Sequence, residues 1–211
     1  MQRAYGLSIP TTLADLATPE RLALVVYDMQ VGILSQLADP GPVTARVTEA
    51  LEAARAAGVR VFYTRHLSLP RELMGVTQYR TAMAWQRVSS PDDVKPWFLR
   101  DAPGFQIAPE LAPRSSEGVI DKITMSAFEG TYLDIALRDC GIQAVALAGV
   151  ALEIGIEPTV RHAADLGYVP VLLEDACGAG NPEAGARSLE SLRFAGDALI
   201  VSTETFRRAL G

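Results

Sequence analysis

The feature that most limits what this chain can become is a repeated alternation of short apolar runs with stretches of helical spacing. Leu22-Ala-Leu-Val-Val-Tyr-Asp28 is apolar until it ends in an acid, the pattern of a strand buried on both faces. Val59–Arg65, Val119–Lys122, Ala144–Val150, Val169–Asp175 and Ala198–Val201 read the same way. Between them, Val43–Ala57 places Val43, Val47, Leu51 and Ala54 on one helical face and is stopped by Gly58. Thr131–Asp139 is closed by Gly141, Glu153–Leu166 by Gly167, and Pro182–Phe194 is a further helix. Strands alternating with helices of this length predict a parallel sheet covered on both faces, a three-layer α/β/α arrangement. A chain of 211 residues suits one such domain spanning 1–211.

One segment breaks the rhythm. Residues 67–117 separate the second and third strands by far more than a crossover needs, and they carry Pro70, Pro91, Pro96, Pro103, Pro109 and Pro113 among Tyr79, Trp85, Trp97, Phe98 and Phe105. A loop this long is rarely structureless inside a compact domain. Arg71–Val88 is compatible with a helix whose apolar contacts are Leu73, Met74, Met83 and Trp85. The segment is expected to cover a substrate or to form a subunit interface.

Composition narrows the class of function. A net charge of −6 argues against a nucleic-acid or anionic-membrane surface, which needs basic clusters. The first residues lack the basic flank and apolar run of a signal peptide, so a cytoplasmic protein is expected. The two cysteines, Cys140 and Cys177, are too few for a disulfide framework, and each is read as a packed small hydrophobe.

In a doubly wound sheet the ligand crevice lies beyond the carboxyl ends of the strands. Asp28 ends the first strand, Lys122 ends the third, and Gly155 follows the fourth at a helix start. Lysine is scarce here, occurring only as Lys95 and Lys122. An ammonium at a buried strand end needs a partner, and Asp28 is the natural one. The strand-to-helix turn commonly mounts the reactive group of such folds, yet Gly155 brings no side chain to it.

Taken together, Val26-Tyr-Asp-Met-Gln30, Asp121-Lys-Ile-Thr-Met-Ser-Ala-Phe128, Gly149-Val-Ala151 with its following helix, and the weaker Asp175-Ala-Cys177 resemble the isochorismatase-like hydrolase superfamily, which includes nicotinamidases and other cysteine amidohydrolases. The resemblance runs from about Leu22 to Phe206. It implies a six-stranded parallel sheet in the order 3-2-1-4-5-6. It also implies that Asp28 and Lys122 are catalytic, and that a non-proline cis peptide joins Val150 to Ala151, whose amide lines an oxyanion hole with the amide of residue 155. In the amidohydrolase branch a cysteine stands where this chain has Gly155. Isochorismatases resemble this chain in having glycine there, but they have a glutamine where the second strand ends, and here that position is His66. Isochorismate is therefore not assigned.

The reading that follows is a hydrolase of a small, planar or anionic substrate, cleaving a C–N or vinyl-ether C–O bond by Asp28/Lys122 acid–base catalysis. Gly155 would leave room for water or a larger substrate. The alternatives are a cysteine amidohydrolase inactivated by a Cys-to-Gly change at 155, or a non-catalytic small-molecule-binding homologue. His66 is a candidate substrate contact or proton shuttle. Arg80 and Trp85, with Tyr79 beside them, suit a carboxylate and a ring. Phe128 is expected to wall the pocket, and Glu153 is either a second carboxylate or a helix-dipole partner. The resembling nicotinamidases hold a metal through an Asp and several His residues. Here His66 and His162 are far apart in sequence, so no metal and no cofactor are expected, and His162 is read as a surface or interface residue. The resemblance and the long insertion together imply a homo-oligomer, a dimer or tetramer.

Overall fold

A computed structural model describes residues 1–211. Six strands build its main sheet: β3 (Leu22–Tyr27), β4 (Arg60–His66), β5 (Gly118–Lys122), β6 (Ala144–Val150), β7 (Val169–Gly178) and β8 (Leu199–Val201), preceded by a small hairpin of β1 (Gln2–Ala4) and β2 (Leu7–Ile9). All pairings in the main sheet are parallel, in the order β5-β4-β3-β6-β7-β8. Counted along the main sheet alone, that is the expected 3-2-1-4-5-6.

The helices are α1 (Val31–Leu34), α2 (Gly41–Ala56), α3 (Val76–Gln86), α4 (Leu133–Asp139), α5 (Glu157–Asp165), α6 (Pro182–Ala195) and α7 (Thr203–Leu210). Period-two alternation along the strands divides the core in two. Leu22, Leu24 and Val26 of β3 join Val43, Val47 and Leu51 of α2 and Phe206 of α7 on one face. Ala23, Val25 and Tyr27 join Leu133 and Leu137 of α4, Val160 of α5 and Leu192 of α6 on the other. Each fully buried Leu or Val side chain is worth roughly 1.5–3 kcal/mol, so these two layers hold the sheet flat against its helices.

Four elements lie outside the expected pattern, the first being the short α1 after β3. The β1–β2 hairpin is exposed throughout. α7 starts where Ser202 caps it and where Asp175 accepts the Thr203 N–H at 2.7 Å. The helix expected from Glu153 begins instead as a π-helical turn over Leu152–Ile156, continuing as α5. Within 67–117, α3 starts only at Val76 and buries no residue fully, leaving Leu73 exposed. Cys140 is also exposed, at the C-cap of α4, not packed as expected. Cys177 is partly covered, and burial pushes its thiol up, against the character of a reactive thiolate. No helix is long and apolar enough to cross a membrane.

Candidate active site

The sheet reverses its winding between β3 and β6, and the candidate groups gather just beyond that point. Asp28 follows β3 with φ 47, in the left-handed region that costs a non-glycine residue about 1 kcal/mol. Its amide is held there by the Thr64 carbonyl at 3.2 Å and the Thr64 hydroxyl at 3.1 Å. Thr64 Oγ1 in turn donates to Asp28 Oδ1 at 2.6 Å, while Lys122 Nζ donates to Oδ2 at 2.7 Å. The sequence pairing of Asp28 with Lys122 is thus present in space, both side chains buried. Burial pulls the Lys122 ammonium below its usual range, and Asp28 opposes that pull. Lys122 also donates to the Thr124 carbonyl at 3.1 Å and lies 4.3 Å from the centroid of the Tyr27 ring.

Tyr27 changes the meaning of Gly155. A Cβ on residue 155 would fall 1.9 Å from the Tyr27 hydroxyl oxygen and 2.5 Å from Cζ. The phenol occupies the direction that a nucleophilic side chain would take. It is fixed there by a hydrogen bond donated to the Met125 carbonyl. The room expected beside Gly155 for water or a larger substrate is therefore taken by the Tyr27 ring, a role that no sequence pattern marked. Its only trace was a bulky aromatic side chain immediately before the acid, on the strand that pairs directly with β6, from which the Gly155 turn departs.

The Val150–Ala151 peptide is cis. Gly149 precedes it at φ 136, and a Cβ there would meet the Tyr27 carbonyl oxygen at 2.1 Å, so only glycine fits against β3. The second donor implied for an oxyanion hole is already engaged: Gly155 N–H bonds the Ala151 carbonyl at 3.0 Å within the π-helical turn.

A cleft of about 410 Å³ opens over Asp28, Ala151 and Gly155. The insertion supplies much of its wall through Trp85, Arg87, Trp97 and Phe98, and His66, Met125 and Glu153 complete the part used below. Gln30 ties the insertion down. Its buried amide accepts the His66 N–H at 2.6 Å and donates to the Phe105 carbonyl at 3.0 Å.

Two expected contacts are not at the cleft. Arg80 is exposed and lines neither the cleft nor the groove beside it, to which α3 presents Thr77, Gln78, Thr81 and Trp85. Arg87, seven residues on at the C-cap, is the cation at the cleft instead, and it forms no salt bridge. Phe128 is a core residue, stacked on Tyr168 at 5.8 Å, so Met125 takes the wall position expected of it. Tyr79 donates to the Arg71 carbonyl at 2.9 Å, a local contact. His162 is half-buried, its Nδ1 2.9 Å from Ser126 Oγ, rather than a free surface residue. No group of three His, Cys, Asp or Glu side chains is arranged to hold a metal ion.

His66 stands edge-on to Phe98, ring centroids 6.0 Å apart, and burial lowers its imidazole from 6.5 to about 4. The folded protein therefore keeps it neutral where the unfolded chain binds a proton. Stability should rise with pH between about 4 and 6.5 on this account, by up to ~3 kcal/mol. Urea unfolding of the wild type and His66→Gln at both ends of that window should show the difference between them widening toward acid; parallel curves would contradict it.

A doubly wound parallel sheet with a buried carboxylate–ammonium pair at its switch point defines an α/β protein whose ligand crevice lies beyond the strand ends. The Isochorismatase domain profile matches residues 22–205, and the chain belongs to the isochorismatase family of hydrolases. It is 30% identical to ureidoacrylate amidohydrolase RutB of Pantoea ananatis, over 90% of this chain and 78% of that protein. It is 33% identical to the uncharacterized isochorismatase family protein YecD of Escherichia coli O157:H7, over 81% of this chain and 86% of that one. Among solved structures, an isochorismatase family protein from Burkholderia thailandensis superposes with a TM-score of 0.73 at 28% identity, covering 92% of this chain and 98% of that chain.

Proposed function

We propose that this protein hydrolyses a C–N bond in a small, planar, anionic substrate, with water as the nucleophile and without a covalent enzyme intermediate. The observation that carries the reading is the Tyr27 hydroxyl standing where a residue-155 side chain would be, beside the buried Asp28–Lys122 pair. A cysteine enzyme that had merely lost its thiol would carry a void there. The close fit of phenol to glycine speaks for a site built without one.

Both Asp28 oxygens act as acceptors, toward Thr64 and Lys122. That pattern suits a group that takes a proton from water, whereas vinyl-ether cleavage asks Asp28 to give one to carbon. In the hydrolysis, the water oxygen bonds the carbonyl carbon and one of its protons passes to Asp28. The C–N bond then breaks, and Asp28 returns that proton to the leaving nitrogen. Lys122 supplies positive charge beside the developing oxyanion, with the Ala151 amide as a further donor. Trp85, Trp97 and Phe98 suit a planar group, and Arg87 suits a carboxylate. The relatives named as ureidoacrylate amidohydrolases make ureido and amide acids the first substrates to try.

The test is a screen of amide, ureido and enol-ether acids on the untreated and the iodoacetamide-treated enzyme. Turnover of amide or ureido acids that persists after alkylation is expected. Turnover abolished by alkylation, or confined to enol ethers, would overturn the proposal.

A further inference from the structure

Glu153 carries an atom that the fold leaves without a partner. Its Oε1 accepts the Asn181 N–H at 2.8 Å, but its Oε2 is buried and no donor of the protein reaches it. A buried acceptor left unpaired costs about 1–3 kcal/mol. Capping does not account for it. α6 is already capped by Asn181 itself, whose side-chain oxygen accepts the Ala184 N–H at 2.9 Å. Asp197 Oδ1 is the other buried side-chain oxygen in this condition, and Asp197 is not a cleft residue. Glu153 lines the same cleft as Asp28, His66 and Arg87.

We infer that on substrate binding a small turn of the Glu153 side chain brings Oε2 to the cleft surface, where it receives a hydrogen bond from an N–H or O–H of the substrate. The cleft thereby selects a neutral donor-bearing group at this end, a carboxamide or ureido nitrogen, and rejects a carboxylate there, where two sets of acceptors would face each other. The inference rests on the reading of this cleft as the substrate site and adds the polarity of the group it takes. Glu153 is a specificity-determining contact. Sites built to bond a polar hydrogen discriminate strongly against ligands that lack it.

Binding of 4-carbamoylbenzoate and terephthalate, which both carry one carboxylate for Arg87 and differ only in the group left for Glu153, is followed by quenching of Trp85 and Trp97 fluorescence on the wild type, Glu153→Gln and Asp28→Asn. Glutamine keeps the oxygen that accepts from Asn181. The donor Asn181 N–H therefore fixes which way its amide points, and an NH2 replaces Oε2. The wild type should prefer the carboxamide-bearing 4-carbamoylbenzoate by at least about tenfold, and Glu153→Gln should abolish or invert that preference. The melting temperature should stay within about 2 °C, which a purely structural role for the carboxylate would not allow. Asp28→Asn removes the other cleft carboxylate but leaves the Glu153 acceptor in place, so it should shift the preference less than Glu153→Gln does, while its effect on turnover reads the mechanism separately. An equal shift in the two variants would assign the discrimination to cleft charge alone and overturn the inference. Equal binding of the two probes to the wild type, binding of neither, or a preference surviving in Glu153→Gln overturns the inference.

Discussion

Asp28→Asn is expected to lower kcat on an amide or ureido acid by about 10³-fold, within the range that a positioned acid–base group supplies, while KM moves little. Asparagine can still offer an oxygen to Lys122, so the fold should survive and the loss be chemical. Lys122→Met should differ in kind. It leaves the Asp28 carboxylate buried with Thr64 as its only side-chain donor, and removing one member of a buried ion pair typically costs 3–5 kcal/mol. Steady-state kinetics and urea unfolding of the two variants separate these outcomes. Turnover unchanged in Asp28→Asn would remove that carboxylate from the reaction.

Gly155→Cys is expected to destabilise the protein by about 1–3 kcal/mol or more and to create no thiol-dependent amidase. The new Cβ would sit 1.9 Å from the Tyr27 oxygen, and the ring has no easy retreat. It is buried, its hydroxyl is bonded to the Met125 carbonyl, and the Lys122 ammonium lies 4.3 Å from its centroid. Tyr27→Ala alone opens a cavity and should cost about 3–5 kcal/mol. Combined with Gly155→Cys it should cost less than the sum, with a coupling of about 1–3 kcal/mol, because the thiol enters space the ring has left. A double-mutant cycle in urea measures this. Additive losses would mean that the two positions do not share the volume described here.

The core strands and the Asp28–Lys122 pair were legible because each depends on short-range pattern. Apolar runs bounded by glycine-stopped helices leave few arrangements but a parallel sheet, and an acid and a lysine at strand ends then fall on one edge of it. Arg80, Phe128 and the helix from Glu153 were misplaced because their roles depend on how an element is rotated. A turn of α3 decides that Arg87 and not Arg80 meets the cleft. Packing against Tyr168 takes Phe128 inward and leaves Met125 at the wall. α7 escaped notice for a similar reason, since its start is held by Asp175, 28 residues earlier in the chain.

The sequence by itself determined the layered α/β architecture and the residue types at the carboxyl edge of the sheet, since strand period and helix stops are local properties of the chain. Only the tertiary structure decided what fills the space beside Gly155, and which Glu153 oxygen lacks a donor. Both depend on side chains from β3, the turn after β6 and the start of α6, brought within a few ångströms of one another by packing that no local pattern encodes.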